Sequence, residues 1–275
     1  MTVLRAAQAQ IPVYTDRQAV SSCVMEAARE ASDKGADFLI LPEMFCCPYD
    51  ASCFPRYAEE EGGPIWQLCA DAARRYGLFL SAGTIPERDS GNRIYNTAYV
   101  FDRKGSRIAK YRKMHLFDVD IKGGQHFRES AVLTPGESIT TFETEFGTIG
   151  LAVCYDIRFP ELFRLMALKG ARLILVPASF NMTTGPLHWE LLFCSQAVYN
   201  QVFIAGTAPA RDENASYVSW SHSIITDPWG NIISEMNEEK ELRIVDINLA
   251  ECDRAREQIP VFQHRREDVY TLKER

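Results

Sequence analysis

The chain has 275 residues, of which 46% are hydrophobic, and a formal net charge of -7. That length and apolar content can bury one large α/β core, and the acidic balance gives no basic footprint for nucleic acid. No apolar run reaches the ~18 residues of a membrane span, and the opening MTVLRAAQAQIPVYTD lacks the continuous apolar stretch of a secretory leader, so a cytoplasmic protein is expected.

In chain order, Val20, Val24, Ala27, Ala28 and Ala31 recur at helical spacing, and Gly35 offers a left-handed stop. A short strand is expected over Asp37 to Leu41. The same grammar returns with Ile65, Leu68, Cys69, Ala72 and Tyr76 on one helical face, Gly77 as stop and Leu78 to Ala82 as strand. It returns once more after Cys154: Pro160 suits a first turn, Leu162, Leu165 and Met166 face one way, Gly170 ends the helix, and Arg172 to Val176 read as strand. KGADFLILP (Lys34 to Pro42) and KGARLILVP (Lys169 to Pro177) match so closely that they read as a structural repeat. Farther on, Trp189 to Tyr199 is helical in pattern. Val202 to Ala205, Ser219 to Thr226 and Ile232 to Glu235 are extended, with a turn at Asp227-Pro228-Trp229-Gly230. Branched-apolar strands alternating with helices imply sheets covered by helices on at least one face. No linker composition divides the chain, so a single domain over 1–275 is expected, with a charged tail from about residue 258 left for solvent or a partner.

Three groups attract chemical attention. Cys154 ends an apolar strand, GLAVC, at the edge where α/β folds display reactive side chains. Read alone, it fits a buried core cysteine at least as well as a nucleophile, since an ordinary thiol is protonated at neutral pH. Glu43 ends FLILPE, where desolvation raises a carboxyl toward the range of a general base; a structural ion pair is the other reading. Lys113 lies where a basic stretch runs into MHLFD, so its ammonium is carried inward and needs a partner charge, although a Lys/Arg run is by default a solvated face. Asp156 is expected to pair with Arg158 and pin the turn after Cys154, while a planar cation so placed can also hold a substrate carboxylate in a bidentate fork.

The remaining patterns exclude several chemistries. Eight cysteines in a long chain without an export signal are expected to stay reduced. Cys46, Cys47 and Cys53 lack the Cys-x-x-Cys spacing and nearby histidine of a zinc site, so no metal is expected. His115, His126, His188, His222 and His264 are scattered, with neither a papain-like signature around Cys154 nor a metal spacing. Ala152 and Asp156 stand where a hydrolase elbow needs glycines.

LPE around Glu43, YRKMHLFD around Lys113 and CYDIRFPE around Cys154 resemble, in order, the three signature segments of the nitrilase (carbon-nitrogen hydrolase) superfamily. The resemblance extends from AAQAQIPV to the IPVFQHRR tail. It implies a four-layer α-β-β-α sandwich and a cofactor-free hydrolase in which Cys154 is the nucleophile, Glu43 the base and Lys113 the cation at the reacting carbonyl. Glu129, in HFRES, is then the second carboxylate, and the Tyr155 backbone N–H an oxyanion donor. SFNMTTGPLHWELL (Ser179 to Leu192) is similar to the omega-amidase branch, which implies 2-oxoglutaramate or 2-oxosuccinamate as substrate, Arg158 on its carboxylate, and Phe180 and Thr184 lining the pocket. The alternatives are the neighbouring branch acting on deaminated glutathione, which shares GP-HWE, and another amide or carbamoyl hydrolase of the superfamily. Members of the superfamily are usually homo-oligomers, which implies a homodimer using the tail.

Overall fold

A computed structural model describes residues 3–122 and 125–275. The strands in chain order are β1 (Leu4–Gln10), β2 (Phe38–Ile40), β3 (Phe79–Ser81), β4 (Ile85–Arg88), β5 (Ile94–Phe101), β6 (Arg107–Arg112), β7 (Asp118–Asp120), β8 (His126–Arg128), β9 (Thr140–Thr144), β10 (Gly147–Leu151), β11 (Leu173–Pro177), β12 (Phe203–Thr207), β13 (Ile224–Thr226), β14 (Ile232–Glu235) and β15 (Glu241–Ile247). The helices are α1 (Arg17–Asp33), α2 (Phe54–Tyr57), α3 (Pro64–Tyr76), α4 (Pro160–Leu168), α5 (Gly185–Asn200) and α6 (Ala250–Gln258).

Two sheets carry the fold. The first runs β15-β1-β2-β3-β5-β4 with β6 on β5, and the second runs β14-β13-β12-β11-β10-β9. Period-two alternation decides which residue meets which layer. Leu4 and Ala6 of β1 and Phe38 and Ile40 of β2 join the core shared with the second sheet. Ala7, Ala9, Leu39 and Leu41 turn outward to Val20, Val24, Ile65 and Cys69 of α1 and α3. The second sheet is covered on its far side by α4 and α5 through Leu162, Phe163, Trp189 and Phe193. The result is the expected α-β-β-α sandwich. Its two sheets are joined by a polar bond as well: buried Gln8 donates from Nε2 to Gly206 O at 3.0 Å, Thr207 Oγ1 at 3.1 Å and Ile224 O at 3.2 Å.

The matched segments KGADFLILP and KGARLILVP occupy equivalent places. β2 lies between β1 and β3, and β11 between β10 and β12, with parallel pairing on both sides in each case. Gly77 closes α3 in the left-handed conformation, φ 64°, as its place at the end of the apolar stripe requires. One expected strand is half wrong. Only Ile224–Thr226 of Ser219 to Thr226 pairs in the sheet, because Ser221 (φ 65°) and His222 (φ 56°) break the extended run. Trp220 N–H instead donates to Phe180 O at 2.7 Å, tying this segment to the loop after β11. Among the described residues no helix is long and apolar enough to cross a membrane.

Candidate active site

Three strand exits meet at one end of the sandwich. β2 leaves the first sheet through Leu41 and Pro42, and Met44, at φ 50°, turns the chain sharply just past Glu43. The turn is held by Met44 N–H donating to Thr84 Oγ1 at 3.0 Å. It also needs Gly83, where a Cβ would lie 1.9 Å from the Pro42 carbonyl oxygen. Lys113 follows β6 directly, and its N–H bonds to Asn96 O on β5 at 2.8 Å. Cys154 lies three residues past β10 in a short 3₁₀ turn, at φ 46°, a conformation that a non-glycine residue holds only when its surroundings impose it.

Asp156 imposes it. Its Oδ2 accepts from Val153 N–H at 2.9 Å and from Tyr111 OH at 2.8 Å, while Oδ1 accepts from His115 N–H at 3.0 Å and lies 2.7 Å from His115 Nδ1. The expected Asp156–Arg158 pair does not form. These donors saturate the buried carboxylate, and Arg158 points the other way, with Nη1 3.2 Å from His188 Nδ1.

The carboxylates and the ammonium form a cluster shut off from solvent: Glu43 is 1% exposed, Lys113 and Glu129 0%. Lys113 Nζ donates to Glu43 Oε1 at 3.1 Å and Glu129 Oε1 at 3.0 Å. Tyr49 OH bridges the same two oxygens, at 3.2 Å and 2.7 Å. Asn96 Nδ2 donates to Glu43 Oε1 at 2.8 Å, and Glu129 Oε2 accepts from Phe117 N–H at 2.7 Å. Glu43 is thereby made asymmetric. Its Oε1 collects three donors, while Oε2 is buried without a hydrogen-bond partner among the described residues.

One ammonium facing two carboxylates leaves the cluster short of positive charge, and the protonation states follow. Burial would strip Lys113 of its proton, but Glu129 and Glu43 outweigh it and hold its pKa above the ordinary lysine value. Glu43 is pushed up by burial and by Glu129, with Lys113 and the neighbouring Cys154 thiol pulling it back. Burial and the Glu43 charge also raise the Cys154 thiol well above its usual range, against Lys113. The sulfur therefore rests as a thiol beside a basic carboxylate. A thiol so placed can become a nucleophile by passing its proton on.

Cys154, Tyr155, Arg158, Phe180 and Thr184 line one small chamber of about 10 Å³, together with Phe117, Ser179 and Tyr217. The Arg158 guanidinium lies 5.2 Å from the Phe180 ring centroid. Burial lowers its pKa, and no carboxylate pairs with it among the described residues. All eight residues singled out in the sequence thus stand at this site. Tyr49 and Asn96 were missed. Asn96 left a readable trace, a polar letter inside the wholly buried strand IYNTAYVF, where a buried polar side chain calls for an explanation. Tyr49, six residues past Glu43 in an irregular loop, left none.

The sandwich and its buried Cys-Glu-Lys-Glu cluster fit one class of protein. Residues 4–257 match the family model described as Carbon-nitrogen hydrolase, and the chain belongs to that family, within the nitrilase superfamily, as a hydrolase acting on amide C–N bonds. Among curated proteins it is 43% identical to omega-amidase NIT2 of Homo sapiens, covering 99% of this chain and 98% of that protein. Among solved structures it resembles Saccharomyces cerevisiae Nit3, a member of branch 10 of the nitrilase superfamily, with TM-score 0.88 and 35% identity over 96% of this chain and 97% of that one. It also resembles an amidase from Nesterenkonia sp. AN1 in which acrylamide has added to the active-site cysteine, with TM-score 0.79 and 27% identity over 97% and 98%. Among the described residues no group of three or more His, Cys, Asp or Glu side chains is arranged to hold a metal ion, and the cysteines are free thiols.

Proposed function

We propose that this hydrolase is an omega-amidase, releasing ammonia from the terminal amide of a small 2-oxo-dicarboxylic acid monoamide such as 2-oxoglutaramate or 2-oxosuccinamate. One observation carries the reading: the chamber that holds the Cys154 sulfur also holds a half-buried Arg158 with no carboxylate partner among the described residues. A buried cation of this kind needs an anion, and a substrate carboxylate at the end opposite the amide supplies it. The identity to omega-amidase NIT2 supports the same substrate class.

In this mechanism Glu43, through its free Oε2, takes the thiol proton as sulfur attacks the amide carbon. The developing oxyanion is met by Lys113 and the Tyr155 backbone N–H, donors of a type worth about 10²–10³ in rate each. Glu129 and Tyr49 hold the ammonium on station. Glu43 returns the proton to the departing nitrogen, the C–N bond breaks and a thioester remains on Cys154. The same carboxylate then draws a proton from water, the C–S bond breaks and the acid leaves. Phe180 and Thr184 wall the acyl chain.

The test is ammonia release from 2-oxoglutaramate and 2-oxosuccinamate, beside their amino counterparts, by the native chain and by Cys154→Ala. Turnover of the keto amides that vanishes in the variant is expected. Equal turnover by both proteins, or selectivity for another amide, would overturn the reading.

We further propose that the chain works as a single domain and as a homodimer whose contacts include the tail from about residue 258. Leu187, Leu191 and Val198 form an exposed apolar stripe on α5, and Phe262 packs between Arg164 and Arg256, which supports a second copy docking near that face. A dimer in gel filtration that persists after removal of the residues beyond Gln258 would take the tail out of the interface. Free thiols make a reducing compartment, the cytoplasm, the proposed setting.

A further inference from the structure

A second cavity borders the cluster at Glu43. It encloses about 290 Å³ between the loop after β1, the turn after β2 and the segment after β12, with Val13, Asp212 and Ala215 among its walls and Glu43 and Met44 also lining it. Its only shared walls with the Cys154 chamber, among the described residues, are Ser179 and Tyr217. Tyr217 OH donates to Ser179 O at 2.6 Å and closes that partition.

The two spaces differ in charge and in capacity. The chamber beside the sulfur is lined by one charged residue, Arg158, and at about 10 Å³ has room for roughly one water. So small a space offers no second path for solvent to the sulfur. Among the described residues the larger cavity is lined by two carboxylates, Glu43 and Asp212, and by no lysine, arginine or histidine. Its volume is about thirty times that of the chamber. Unlike the chamber, it offers no cation among the described residues to hold a substrate carboxylate, and nothing in its lining bars neutral small molecules.

Resting on the amidase reading above, we propose that the cavity between the β1 and β12 loops is the passage for the small species of the reaction, admitting water and letting ammonia out, while the carboxylate-bearing acyl group stays on the Arg158 side. The chemistry requires such a route twice. Amide nitrogen leaves as ammonia after taking the Glu43 proton and breaking its bond to carbon. Water then forms the new C–O bond, giving its proton to Glu43, from which the departing sulfur recovers it. Both exchanges occur at Glu43, which borders this cavity. The Tyr217–Ser179 partition separates the two traffics.

Bulk added at the rim tests the assignment. Ala215→Trp and, from the opposite wall, Val13→Trp are compared with the native chain at residues that are exposed or half-exposed and so tolerate the change. Expected is a fall in kcat of about tenfold or more with KM for the keto amide within twofold, and a larger steady-state fraction of protein carrying the acyl mass on Cys154. Far-UV circular dichroism and Tm check each fold, and either variant suffices if the other unfolds. A raised KM with unchanged kcat would overturn the proposal by making the cavity the substrate's own entrance; unchanged kcat and KM would overturn it by making the cavity idle. If the native chain ignores 2-oxoglutaramate, the substrate reading fails by itself, and the same comparison is run on whichever amide is turned over.

Discussion

Replacing Asn96 by leucine, nearly the same volume without the donor, probes how the first sheet tunes the base. Asn96 Nδ2 gives Glu43 Oε1 its shortest hydrogen bond, 2.8 Å, between two buried side chains. A hydrogen bond to a charged group contributes about 1.5–3 kcal/mol, and a tenfold change in a proton-dissociation constant corresponds to about 1.36 kcal/mol. The bond stabilises the carboxylate over the carboxylic acid, so its loss raises a Glu43 pKa that burial has already pushed up. On the proposed mechanism the base enters the reaction ionised, so the acid limb of kcat/KM is expected to move to higher pH, by about 1–2 on the pH scale. On the acid side activity then falls by about the same factor as the dissociation constant, roughly 10- to 100-fold, while activity on the alkaline side changes little. Fold stability is expected to change less, because the substitution also removes Asn96 Oδ1, a buried acceptor with no partner among the described residues. The assay is kcat/KM from acid to alkaline pH for both proteins, with Tm alongside. A uniform loss at every pH with no displaced limb would refute the reasoning and make Asn96 a packing residue only.

Other perturbations separate binding, scaffold and packing. Arg158→Leu is expected to raise KM for a carboxylate-bearing amide by about 10²-fold, the equivalent of about 3 kcal/mol, with a much smaller effect on an uncharged amide; equal effects on both would remove Arg158 from substrate recognition. Asp156→Asn weakens the donors that hold the turn at Cys154, and a stability loss of about 2–3 kcal/mol with activity falling in parallel is expected from urea unfolding and kinetics. Gly206→Ala places a methyl 2.3 Å from the Phe193 ring and is expected to cost about 1–3 kcal/mol, read as a lowered Tm with KM unchanged. Alkylation of Cys154 by iodoacetamide at neutral pH is expected to be slower than that of a free thiol, because burial and the Glu43 charge raise its pKa; fast labelling would show a resting thiolate.

Much of this could be read from letters because the informative residues sit at punctuation marks. Apolar stripes ended by Gly35, Gly77 and Gly170 announce helices α1, α3 and α4, and each strand that follows is wholly buried. Glu43 stands just past the first of these strands and Cys154 just past β10, so their places at strand exits were visible in one dimension, while their roles came from the resemblance. What escaped depends on neighbours distant in sequence. Asp156 chose Tyr111, 45 positions away, over nearby Arg158, since a buried carboxylate is settled by whichever donors the packing delivers. Tyr49 meets Glu129 across 80 positions, and no local pattern encodes that. Ser221 and His222 defeated the strand expectation through left-handed backbone that their residue types do not advertise.

The bond from Gln8 to the opposite sheet bears on more than stability. Glu43 and Lys113 are carried by one sheet and Cys154 by the other, so the reactive atoms are assembled only when the two halves are seated in register. On the proposed mechanism turnover is therefore a gauge of that docking: a chain that keeps every helix and strand is expected to fall silent through a slip of about 1 Å along the seam.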